Sequence, residues 1–141
     1  PDVDFGSHKL NSETSLIGTW SKDFKVIGEK GKRININVAL EKSFTSASGK
    51  RADGVTWNLI ESDYRSPGSL ITTNKDLSKG PATIMYWPWH DDGTGDILSD
   101  FDDYKIQKKD VYYEMQISNL GTVPEPGDYT ATLKWQLANV P

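Results

Sequence analysis

The chain has 141 residues, with 16 Lys and Arg against 20 Asp and Glu for a formal net charge of −4, and no cysteine. A disulfide framework, a thiolate metal site and a cysteine nucleophile are therefore excluded, and the interspersed charges lack the clustered Lys and Arg of a nucleic-acid or anionic-membrane footprint. No apolar run is long enough to insert into and cross a bilayer. Hydrophobic residues make up only 35%, but five Trp and six Tyr concentrate the buried area in a few large side chains. The chain begins at Pro1 with no Met and no signal-peptide pattern, as expected of a processed or trimmed chain.

Two-residue alternation dominates from the first third onward. After an expected strand at Phe24–Ile27, the turn residues Gly28-Glu29-Lys30-Gly31 predict a hairpin into Arg33–Leu40. There Ile34, Ile36, Val38 and Leu40 share one face and Asn35, Asn37 and Ala39 the other. Ser48-Gly49-Lys50 separates this run from a strand at Val55–Ile60, and Tyr64 is expected to pack under the loop around Ser66-Pro67-Gly68. Short helical turns are expected near Asn74–Lys79 and Ser99–Lys105, with a strand at Ala82–Trp87 between them. Residues Asp91 to Asp103 hold six Asp and read as one long solvated loop. Val111, Tyr113, Met115 and Ile117 then alternate against Tyr112, Glu114 and Gln116. The clearest alternation closes the chain: Tyr129, Ala131, Leu133, Trp135 and Leu137 on one face, Thr130, Thr132, Lys134 and Gln136 on the other. Many short strands with Gly/Pro turns predict one all-β domain over 1–141, an antiparallel Greek-key-like β-sandwich with one long acidic loop.

The closing run Gly127-Asp128-Tyr129-Thr130-Ala131-Thr132-Leu133-Lys134-Trp135-Gln136-Leu137 resembles the distal motif of the WxL domain of Gram-positive cell-surface proteins, G-x-Y-x-(A/S)-x-L-x-W-x-L. The opening Val3-Asp4-Phe5-Gly6 is similar to that family's D-F-G segment. Matching is confined to the two ends. The stretch Gly31-Lys32-Arg33-Ile34-Asn35-Ile36, where a first W-x-L would stand, has no Trp, and the literal Trp57-Asn58-Leu59 comes later. The resemblance implies a secreted, non-catalytic domain at the cell wall. It would hold peptidoglycan non-covalently and assemble with other surface proteins, with Gly127, Tyr129, Leu133, Trp135 and Leu137 as its signature.

Each candidate site has two readings. Trp135 and Leu137 are either core residues of the last strand or leave part of the indole open to stack on a sugar. Tyr86-Trp87-Pro88-Trp89-His90 is the most unusual local sequence. Pro88 stops ladder pairing there, so the two Trp form either a plug between sheets or a flat aromatic patch for glycan C–H groups. Asp91, Asp92 and Asp96, spaced by Gly93 and Gly95, offer hard oxygens for Ca²⁺, or else make a soluble acidic loop. An EF-hand is not matched, because the twelfth-position Glu is missing. His8 and His90 lie far apart and lack metal-ligand spacing. No acid sits in a clearly apolar setting that would raise its pKa for general-acid work. The reading that follows is a surface binding and assembly domain rather than an enzyme. Its rivals are a pilin-like structural subunit and a carbohydrate-binding module using Trp87 and Trp89.

Overall fold

A computed structural model of the chain describes residues 2–9, 14–21, 25–28, 33–64, 70–86, 95–100, 102–108 and 110–140. The strands are β1 (Val3–Asp4), β2 (Ser15–Ile17), β3 (Thr19–Trp20), β4 (Lys25–Gly28), β5 (Arg33–Ser46), β6 (Thr56–Asp63), β7 (Ile71–Asp76), β8 (Ala82–Tyr86), β9 (Gly95–Asp100), β10 (Ile106–Lys108), β11 (Val111–Ser118) and β12 (Tyr129–Val140). Helical structure among the described residues is limited to 3-10 turns at Leu77–Lys79 and Leu120–Thr122.

The strands form an all-β, antiparallel, sandwich-like fold. One sheet runs β4-β9-β10-β11-β6-β7, with β2 also on β11. One edge of β11 is held by β6 along its length, from Val111↔Asp63 to Ser118↔Thr56. The other edge is divided between β10 at Val111–Tyr113 and β2 at Gln116–Ser118. The second sheet is β12-β5-β8, and β1 pairs β3 in a small ribbon. Between the sheets lie Ile34, Ile36 and Val38 of β5, Ile84 of β8, Trp57 and Leu59 of β6, and Val111, Tyr113, Met115 and Ile117 of β11, all buried. These are the alternating sets expected of strands with one dry face.

A polar link fastens one sheet to the other. Tyr113 donates its hydroxyl to Glu61 Oε1 at 2.8 Å, and Glu61 Oε2 lies 3.8 Å from Lys75 Nζ. Lys75 in turn donates to the carbonyl of Thr83 on β8 at 2.9 Å.

Several expectations are corrected. β4 pairs β9, not β5. β5 is a central strand whose Ile34–Val38 segment already has β12 on one edge and β8 on the other, leaving no ladder for a β4 hairpin. The long acidic loop is interrupted, since Gly95–Asp100 is a strand paired with both β4 and β10. Ile97 and Leu98 are its only large apolar residues, too few to produce an alternation. No helical turn forms over the described part of Ser99–Lys105. Asp102 Oδ1 instead accepts from the backbone N–H of Tyr104 and of Lys105, both at 2.8 Å, which makes a tight polar turn. The turn near Asn74–Lys79 does form, over Leu77–Lys79, capped by Asp76 accepting from the Ser78 N–H. Tyr64 is exposed, its ring edge-on to Tyr112 at 5.4 Å. Pro67 lies outside the described residues.

Burial sorts the expected costs of truncation. Ile36→Ala and Met115→Ala should each lower stability by about 2–5 kcal/mol in denaturant melts. Leu137→Ala, at a residue 62% exposed, should stay within about 0.5 kcal/mol. Equal losses at all three positions would contradict this placement of the core.

Candidate binding surface beside the last strand

The last strand is started by its own signature residues. Pro124 and Pro126 keep the preceding segment out of any ladder, and Gly127 adopts φ 158°, which L side chains rarely take. Tyr129, the first residue of β12, donates its hydroxyl to the Glu125 carbonyl four residues upstream at 2.8 Å. That bond closes the turn in the manner of a tyrosine corner. β12 then pairs β5 from Tyr129↔Ser46 to Val140↔Arg33. β5 spans this ladder with 14 residues and β12 with 12, and the register shifts fall between Thr130 and Leu133. The surplus residues of β5 form bulges, which bend the strand there.

Along β12, Tyr129, Ala131, Leu133 and Trp135 are half-buried against the core, while Thr130, Thr132, Lys134 and Gln136 are exposed. The Trp135 ring meets the buried Trp20 edge-on, with centroids 6.1 Å apart. Leu137 departs from the expected core position. It stands opposite Ile36, but on the sheet's edge strand rather than its centre, and remains 62% exposed. Among the described residues β12 has only β5 as a ladder partner, and no strand there pairs its other edge.

Beside the first half of β12 lies a groove of about 760 Å³. The segment Asp2–Lys9 forms one wall and Tyr129–Leu133 the other, and Leu16, Phe44, Trp57 and Ile117 also line it. Phe5 meets Trp57 edge-on at 5.4 Å and Phe44 at 6.2 Å, and Phe44 lies 4.8 Å from Trp57. Gly18 lets the opening segment approach closely, because a Cβ there would lie 2.9 Å from the Phe5 ring. Asp4 Oδ1 accepts from the Gly6 N–H at 2.8 Å, turning the chain after Phe5. Trp57 is 2% exposed, and its indole N–H has no hydrogen-bond partner among the described residues. The groove's lining carries four carboxylates, Asp2, Asp4, Glu125 and Asp128, against the single ammonium of Lys9.

The opening Asp4-Phe5-Gly6, the internal Trp57-Asn58-Leu59 and the closing strand are thus brought to one place, which their separation in sequence does not reveal. Phe44 and Leu16 were not expected there. Phe44 follows the alternating run of β5 just where the bulges break its period, so no pattern marks it. Tyr86 ends β8 opposite Ile34, and Asp96 lies in β9 opposite Ile27. Trp87, Trp89, His90, Asp91 and Asp92 lie outside the described residues. Among the described residues no three His, Asp or Glu side chains converge as metal ligands. The Nε2 of His8 is engaged with the Phe5 carbonyl at 2.6 Å.

Removing the corner hydroxyl in Tyr129→Phe should cost about 0.5–1.5 kcal/mol in unfolding experiments. Gly18→Val should push the opening segment off the groove, seen as faster amide exchange at Val3–Gly6. Unchanged exchange there would mean that Gly18 does not seat it. No family model, curated protein or solved structure matches the chain.

Proposed function

We propose that this chain is a non-catalytic binding and assembly domain of the Gram-positive cell surface, attaching without covalent bonds to wall peptidoglycan and to partner surface proteins. The observation that supports it best is the state of the signature strand. β12 is an edge strand on which Trp135 is only half-buried and Leu137 is 62% exposed. A half-buried indole on an edge strand suits a sugar, whose C–H groups pack on the ring. The resemblance of both chain ends to the WxL domain points to the same ligand. Full pairing of β12 with β5 weighs against a pilin-like subunit that gives its own last strand away. A carbohydrate-binding module built on Trp87 and Trp89 rests on residues outside those described.

The domain should sediment with purified Gram-positive cell walls at low salt and without other proteins. Trp135→Phe and Leu137→Asp, checked for retained folding, should each pellet several-fold less. A wild-type chain that stays in the supernatant would remove wall attachment by this domain alone.

A further inference from the structure

We infer that the groove between Asp2–Lys9 and Tyr129–Leu133 receives an extended peptide strand from a partner protein, apolar at alternate positions and flanked by basic residues. This deepens the assembly half of the function proposed above and rests on it. Four observations converge. First, no strand among the described residues pairs the second edge of β12, and such an edge is the template on which an added strand forms a ladder. Its Tyr129–Leu133 stretch is about 13–17 Å long at strand rise, enough for a partner segment of about five residues. Second, all of Tyr129–Leu133 lines the groove, and burial along it alternates: Tyr129, Ala131 and Leu133 are half-buried while Thr130 and Thr132 are exposed. An incoming strand would set alternate side chains over Phe5, Leu16 and Ile117. Third, four carboxylates against one ammonium favour a cationic segment and repel an acidic one. Fourth, the indole N–H of Trp57, a residue lining the groove, is buried without an acceptor among the described residues. An unsatisfied buried donor is costly, and a carbonyl of an incoming chain is the kind of group that satisfies it.

The charge rim sets this occupant apart from a second copy of the chain. The only charge on β12 is Lys134, and the chain as a whole is acidic at −4.

The test titrates the full chain with a synthetic peptide of valines alternating with threonines and capped by a lysine at each end. A matched peptide carries glutamate in place of the lysines. Binding is read by calorimetry and by amide shifts in two-dimensional NMR. The lysine peptide should bind and shift the Tyr129–Leu133 amides, and the glutamate peptide should bind at least about tenfold more weakly. The variant combining Asp2→Asn, Asp4→Asn, Glu125→Gln and Asp128→Asn should lose most of that preference while keeping its thermal midpoint. Ala131→Glu, which sets a charge in the groove, should weaken the lysine peptide by a similar factor. No binding of either peptide, equal binding of both, or shifts elsewhere on the surface would overturn the proposal. So would peptide-free dimers whose NMR contacts fall in the groove, because the occupant would then be a second copy. Sedimentation with purified walls does not depend on this groove, so wall binding that survives Ala131→Glu while peptide binding fails separates the two conclusions.

Discussion

The ladder between β5 and β12 is the constraint on which the rest of the molecule depends. β5 is the only strand of its sheet with neighbours on both edges, so its inward residues Ile34, Ile36 and Val38 are buried while its partner on one side stays at the rim. Fixing 14 residues against 12 forces bulges into β5. Within the bulged segment Phe44 meets Phe5 and Trp57. The groove is therefore a by-product of how the longest pair of strands is matched. Phe5 meets both Phe44 and Trp57 edge-on there, an arrangement the ring quadrupole favours.

Alternation makes the inward faces of β5, β11 and β12 legible, because a half-buried strand leaves a period of two in the order of its residues. Ile34 to Val38 and Val111 to Ile117 lie where that period puts them. Pairing was less legible. The turn residues Gly28 to Gly31 satisfy the rule for a hairpin, but a turn signal says nothing about whether the neighbouring edge is already occupied. β9 leaves no alternation in the sequence because Asp96 and Asp100 flank its two large apolar residues, and its place comes from backbone pairing with β4 and β10. Leu137 looked like core by its position in the repeat. Alternation gives the side of a sheet on which a residue points, not how far the opposite sheet extends.

The candidate site was legible only in pieces. The closing run and the opening Asp4-Phe5-Gly6 stand out as motifs, and Trp57-Asn58-Leu59 as a literal W-x-L. That all three border one groove is a long-range fact set by β12 pairing with β5, by β1 pairing with β3, and by the close approach allowed at Gly18. Leu16 reaches the same place because β2 adds to the far half of β11. None of these pairings leaves a local trace.

A strand edge twelve residues long, without a ladder partner among the described residues, is also a hazard, since identical chains can zip together along such an edge as growing fibres. β12 places one positive charge, Lys134, near its middle, and copies aligned antiparallel about that point would bring two ammonium groups face to face. Lys134 thus acts as a gatekeeper. It penalises self-recognition where two edges would be most alike, and it leaves the uncharged stretch from Tyr129 to Leu133 open to chains of a different sequence.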